Sequence, residues 1–446
     1  MFKKIIVLFL IPILSFSFVS CRNTLTDPKT STVPLETLVD PSYLDVWLMP
    51  NSAVPDEDFI DLTKPFTDAN PNVPISPTVL DWSWAWTKII SAAATGETPD
   101  ITQLSTTWVG ALSSMGALSD LTYKVDFSKF QPTVLETTGL HGTNAKTCVP
   151  WFSETRALYY RKDACEKAGV DPLKDFETWQ SFEAALVKLN NIEVDGKKLS
   201  ALGISGKNDR NLVYNFTPWI YGSGGNFLDT EAKRATFNSA EALEGINFYC
   251  KLAVKGLIDR TSLKMTTTDI ESDFMKGKFA TSFMGPSVIS ALEANVKSNL
   301  VDKVGVTMVP AGPNGRKAFL GGSVLAIFKS SKKQEAAIGL INFLSDKYAQ
   351  VEYAKKTGNL PTNKDACKDP FITQHEMRKV FNAQIEFAKA YPSISSWDNV
   401  ENYVQQALSN VWDNAMGNGD VYNYETTKKL VDKAAAQVDN VLKQNP

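Results

Sequence analysis

Residues 149–163, VPWFSETRALYYRKD, decide the fold. The stretch opens on Pro150, Trp151 and Phe152 and carries Glu154 and Arg156 two positions apart. It closes on the apolar run Ala157-Leu158-Tyr159-Tyr160, ahead of Arg161-Lys162-Asp163. Strand formers dominate its second half. Polar Glu154 and Arg156 among aromatics fit a strand that leaves one lobe and enters another. The competing reading is an ordinary core strand, with Tyr159 on one face and Tyr160 on the other.

Outward from this stretch, strands and helices alternate. Upstream, residues 43–49 predict a strand, broken at Pro50-Asn51-Ser52. Asp56 is placed to cap the next helix, which runs through Phe59, Leu62 and Phe66. A second strand falls at residues 73–80. Then Trp82, Trp86, Ile89, Ile90 and Ala93 share one helix face, so Trp86 reads as core and Trp82, at the helix start, as facing a cleft. A third strand starts near Asp100, and Thr106-Thr107-Trp108 cap a helix ending near Gly116. This alternation predicts an open α/β sheet with ligand at the strand ends. Downstream, residues 162–169 are helical and Thr178-Trp179 start another helix, with Trp179 structural. Residues 202–205 form a strand, and residues 214–225, YNFTPWIYGSGG, an aromatic segment closed by a glycine turn. A helix over residues 239–255 stops at Gly256. Strands follow at the end of residues 274–283, in 304–313 and in 318–329, with helices at 335–344, from Trp397 to Met416, and over 426–442.

Composition sets bounds. At 446 residues the chain is too long for one core. It is 43% hydrophobic and 21% charged, as soluble globular proteins are. The net charge is −3, with no basic patch, which argues against nucleic acid as a partner. Two histidines, His141 and His375, make a multi-histidine metal site improbable. Neither Gly224-Gly225 nor Gly321-Gly322 sits in a nucleotide-binding pattern, and no GxSxG elbow is present. No cofactor is called for. Residues 1–20 read as a secretory leader: Lys3 and Lys4, an apolar run, then Ser20-Cys21 as a lipidation site, with Phe18 and Val19 departing from the usual lipobox. Residues 21–40, rich in Thr, Pro, Ser and Asp, read as a flexible tether from an acylated Cys21. Cys148, Cys165, Cys250 and Cys367 are left as disulfides or buried thiols.

The stretch at 149–163 resembles the first interlobe crossing of the extracellular solute-binding proteins of ABC importers (family 1, maltose-binding-protein-like). In these a Pro-aromatic pair and a few polar residues precede a short apolar strand that ends in Tyr-Asn/Arg-Lys-Asp. Residues 81–122 resemble the same family, which often shows an Asp-Trp pair, a helix, Gly-x-x-Pro-Asp, Thr-Trp and Gly-x-Leu-x-x-Leu. Gly285-Pro286-Ser287 departs from it, because the family often has a sugar-stacking Trp in the third position. The resemblance, over residues 43–442, implies a two-lobe periplasmic-binding-protein fold, with mixed open sheets, helices on both faces and a three-segment hinge. It implies lobe one at 41–152 and 321–344, and lobe two at 153–320 and 345–446, with crossings near 152–157, 318–321 and 344–361.

A pyranose offers an apolar C–H face and a rim of hydroxyls, so flat rings and planar polar groups suit it. The resemblance accordingly implies lobe-one contacts from Asn51, Trp82, Thr107 and Trp108. It implies lobe-two stacking by Trp219 and Trp397, boundary contacts by Trp151, Glu154 and Arg156, and a floor of Gly321-Gly322. Trp47, Trp84, Trp86, Trp179 and Trp412 read as core. The implied protein is a monomeric sugar binder that delivers to a membrane permease and performs no catalysis. The rivals are a surface glycoside hydrolase or lyase and a sensor ectodomain that reuses the fold.

Overall fold

The computed structural model describes residues 43–207, 209–295 and 300–444. The leader, the tether and Cys21 lie outside the described residues. The fold is built on two sheets. The first has six strands, in the order Leu360–Pro361, Cys148–Glu154, Gly321–Ile327, Ile101–Ser105, Leu44–Leu48, Ile75–Val79. Leu44–Leu48 pairs in parallel with both Ile75–Val79 and Ile101–Ser105, and Gly321–Ile327 runs antiparallel to its neighbours. The second sheet has five strands, in the order Ile192–Val194, Lys197–Gly203, Phe279–Met284, Ala157–Arg161, Val304–Thr307.

Helices cover both faces of each sheet. On the first, Phe59, Leu62 and Phe66 of the helix Pro55–Ala69 pack with Leu44, Val46 and Leu48. Ala85, Ile89 and Ala92 of the helix Trp82–Thr95 cover the other face with Trp47 and Val324. On the second sheet, the helices Trp179–Leu189, Asn211–Gly222 and Ala240–Val254 bury one face together with the C-terminal helices Trp397–Ala415 and Tyr424–Gln444. Ile270 and Phe274 of the helix Thr267–Met275 cover its other face.

The opening stretch does join the two sheets. Cys148–Glu154 ends in the first, and Ala157–Arg161 begins in the second after Thr155 and Arg156. Tyr159 is buried against Phe274 and Phe381, while Tyr160 faces Phe176 on the opposite side. A second passage returns through Ala318–Phe319, which pairs in parallel with Ala388–Lys389. Thr155 Oγ1 donates to the Phe319 carbonyl at 2.6 Å and ties the two passages together.

Several expectations are corrected. The helix Pro55–Ala69 has no side-chain cap, and Asp56 sits inside its acidic first turn, where it still favours the helix dipole. Residues 214–225 are largely the helix Asn211–Gly222, masked in sequence by Pro218. Leu360–Pro361, placed with the second lobe in the implied division, pairs with Cys148–Glu154 of the first sheet, and Gln350 Nε2 of the helix Lys347–Thr357 donates to the Trp151 carbonyl at 2.6 Å. Trp84 is 44% exposed with Lys88 over its ring, so it is not core. Cys148, Cys165, Cys250 and Cys367 are buried free thiols.

Candidate functional site

The parallel strands of the first sheet all end at one edge, and the loops there form one wall of a cavity. Asp81 accepts from Ser83 N at 2.9 Å, which starts the helix Trp82–Thr95 at the end of strand Ile75–Val79 and sets Trp82 at the rim. Ser105 caps the turn Thr106–Trp108 at the end of strand Ile101–Ser105. Trp108, 7% exposed, lies between Trp82 and Trp86, at 5.6 and 5.3 Å between ring centroids, while Trp82 stays 40% exposed. Gly321 pairs with Glu154 in register, so Glu154 and the Gly321-Gly322 floor share the same edge. Gly322 has φ of +127°, and a Cβ there would stand 2.2 Å from the Phe152 carbonyl oxygen. The backbone thus demands glycine.

The opposite wall comes from the second sheet. Asp209 accepts from Asn211 N at 2.8 Å and opens the helix Asn211–Gly222. Arg210 just before that helix and Asn211 and Tyr214 within it line the cavity, and Tyr214 stacks on Phe319 at 4.1 Å with an interplanar angle of 7°. Arg156 spans the two walls: Nη1 is 2.8 Å from Glu154 Oε1, and Nη2 donates to Asn211 Oδ1 at 3.0 Å. Gly285 makes room for this pair, since a Cβ there would meet Arg156 Nη1 at 2.6 Å. Glu401 of the helix Trp397–Ala415 closes the far side. The enclosed volume is about 390 Å³.

The structure therefore brings together Trp82, Thr107, Trp108, Glu154, Arg156, Gly321 and Gly322. It does not bring Asn51, Trp151, Trp219 or Trp397 to this cavity. Asn51 Nδ2 donates to Gln103 Oε1 at 2.9 Å and to the Tyr353 hydroxyl at 2.8 Å, holding a loop of the first lobe. Trp151 lies inside a strand, 2% exposed, stacked on Tyr353 at 4.3 Å. Trp219 lies inside a helix, 2% exposed, between Tyr249 and Trp179. Trp397 is 1% exposed behind Tyr391. Their rings are covered by protein, so none faces a ligand in this cavity. Sequence reading missed Arg210, Asn211, Tyr214, Phe319 and Glu401. Tyr214 had a weak signal, as the first aromatic of the segment named for Trp219.

A larger cavity, about 650 Å³, lies between residues 135–146, 221–239 and 389–392. Its basic groups are already engaged. Lys389 Nζ donates to Asn226 Oδ1 at 2.6 Å, Lys146 Nζ to the Leu135 carbonyl at 3.2 Å, and His141 Nε2 lies 3.2 Å from the Thr230 carbonyl. The smaller cavity has the better claim, because it holds the exposed indole, the paired charges and a buried carboxylate oxygen with no partner.

Comparison with known proteins agrees with this fold. Residues 61–379 match the family model of bacterial extracellular solute-binding proteins. A binding protein of Brucella abortus is 25% identical over 391 residues, 86% of this chain and 90% of that one. The diacetylchitobiose binding protein of Streptomyces coelicolor is 27% identical over 334 residues, 73% of this chain and 74% of its own. Among solved structures, the sugar-binding protein MalE of Xanthomonas citri shares the fold at a TM-score of 0.77 and 22% identity, covering 90% of this chain and 98% of that one.

Proposed function

This chain belongs to the bacterial extracellular solute-binding proteins, and on that premise we propose that it captures a sugar or short oligosaccharide for an ABC importer. The ligand lies in the cavity between the two lobes, with Trp82, backed by Trp108, beneath one sugar face and Tyr214 across from it. Glu154 accepts from its hydroxyls, positioned by Arg156 and Asn211, and the Gly321-Gly322 backbone lets it approach closely. The observation that carries the reading is an exposed indole facing a polar wall across a cavity of about 390 Å³. An apolar sugar face stacks on such a ring, and the hydroxyl rim requires planar hydrogen-bonding groups around it. The diacetylchitobiose binding of the Streptomyces relative supports the ligand class. Closure around the ligand, by bending at the passages between the sheets, gives the form that docks on permease subunits. The protein acts as a monomer and without chemistry on its ligand.

No described helix is long and apolar enough to cross a membrane. In this reading Cys21 is acylated and anchors the body through the tether at 21–40, outside the cytoplasm. Cys21→Ser is then expected to appear in the soluble fraction, and retention in the membrane would remove the anchor.

Calorimetry across neutral mono- and oligosaccharides, with chromatography of the mixture afterwards, tests the function. Stoichiometric heat with unaltered saccharide is the expected result. Released product would instead point to an enzyme that uses the two carboxylates of the cavity, Glu154 and Glu401.

A further inference from the structure

Glu401 reaches the cavity from the second turn of the helix Trp397–Ala415. It is 9% exposed, and its Oε1 has no hydrogen-bond partner among the described residues. The Tyr214 hydroxyl donates to the carboxyl, which leaves Oε1 as its unmatched oxygen, Arg210 and Asp398 flank it, and Glu154 and Arg156 line the same cavity from the crossing between the sheets. Among the described residues, of the buried side-chain polar atoms left unmatched, Glu401 Oε1 is the one on this cavity's lining, where a ligand can supply the partner.

The charges around it narrow that ligand. Arg156 is committed to Glu154 and Asn211. Arg210 is exposed and lies 3.8 Å from Asp398. Neither arginine of the described lining is free of a carboxylate, whereas Glu401 Oε1 is unshared. A solute anion would thus meet a buried carboxylate whose nearest loosely held cation, Arg210, is solvent-screened, while a hydroxyl would meet an acceptor oxygen with room for a donor.

We propose that Glu401 sets specificity in the second-lobe wall, with its Oε1 accepting a hydrogen bond from a hydroxyl of a neutral glycoside and disfavouring anionic solutes. This rests on the sugar-binding reading above. It has a consequence that a structural role lacks. Burial pushes the Glu401 carboxyl up to about 7. A hydroxyl that donates to it favours the ionised form. Binding therefore expels a proton from the protonated fraction, and affinity falls as pH drops below that value. Glu271, raised by burial beside Arg156, also titrates near the cavity, so a Glu401 variant is needed to assign the effect.

The test is calorimetry of the full chain with neutral saccharides, sn-glycerol 3-phosphate and glucuronic acid, in buffers of differing ionisation enthalpy, between about pH 6 and 8. A neutral saccharide is expected to bind with proton release, weakening by up to ~10-fold per pH unit on the acid side. Glu401→Gln is expected to bind it ~10–100-fold less tightly, as loss of a charge-assisted hydrogen bond should, and without Glu401's share of the released protons. Thermal denaturation checks that this variant is folded, and the proton release of the unaltered protein is a readout independent of it. Saccharide binding indifferent to Glu401→Gln, in affinity and in protons, overturns this inference and leaves the sugar reading standing. An anion bound more tightly than every neutral saccharide also overturns it. If no saccharide binds at all, the sugar reading falls and this inference falls with it.

Discussion

Trp82 and Trp219 carry the same side chain in opposite surroundings. Trp82 stands 40% exposed at a helix start, and Trp219 is 2% exposed among Trp179, Phe248 and Tyr249. Trp82→Ala is expected to lower saccharide affinity by ~1–3 kcal/mol, the worth of a stacking ring, with little change in unfolding midpoint. Trp219→Ala leaves a large core cavity and is expected to cost ~3–5 kcal/mol of stability, read by urea denaturation. The reverse pattern would return Trp219 to the site. Glu401 has a stability signature too. Its folded carboxyl is raised to about 7 from the 4.5 of a free glutamate. The penalty for charging it is therefore present above the folded value, fades as pH falls through it, and is gone below the free value. Glu401→Gln should stabilise the unliganded protein by on the order of 2–3 kcal/mol at about pH 8 and by nothing near pH 4. Equal unfolding free energies of the two proteins at both pH values would show that the carboxyl is not buried. Of the proposed site, Trp82, Thr107, Trp108, Glu154 and Arg156 each sit beside a local break in the chain, which the sequence displays. Glu401 was not, because on an amphipathic helix a buried acid and a solvated acid look alike until the helix is packed.

Elements were legible where their own chemistry marks them. The helix Trp179–Leu189 announces itself by the Thr178 capping box, and the strand Ala157–Arg161 by its apolar run. The helix Asn211–Gly222 was hidden, because Pro218 interrupts its hydrogen bonding and only packing against Ala240–Val254 and Trp397–Ala415 sustains it. The pairing of Leu360–Pro361 with Cys148–Glu154 could not be read, because two residues carry no periodicity and the contact is purely tertiary. The strand Gly321–Ile327 shows the opposite case, a local feature with a distant reason. Its register shifts between Ser323 and Val324, just after the left-handed Gly322. Gly322→Ala must strain the backbone and push a methyl into the Phe152 carbonyl. It is expected to lose ~1–3 kcal/mol of stability and to weaken saccharide binding, because the cavity floor moves. Wild-type melting and affinity in that variant would mean that the floor adapts freely.

Across the whole molecule the two sheets meet at short passages, at Thr155-Arg156 and near Ala318–Phe319, and the proposed site lies where they meet. A ligand favours the closed form only by binding it better than the open form. Contacts from a single wall persist in both forms and shift nothing. Inverting a 1:99 population requires about 5.5 kcal/mol of differential binding, more than one stacking ring provides. In the proposed reading, contacts at Trp82 from the first lobe and at Tyr214 from the second must therefore act together. Removing the Tyr214 ring, which stacks on Phe319, strips part of the second wall and leaves the first intact. A Tyr214→Ala protein at saturating saccharide should still bind, ~1–3 kcal/mol more weakly, yet remain measurably less compact than the saturated wild type. Small-angle scattering at matched saturation reads this directly. Two saturated proteins of equal radius of gyration would mean that one wall suffices, and that the cavity is a pocket of the first lobe alone.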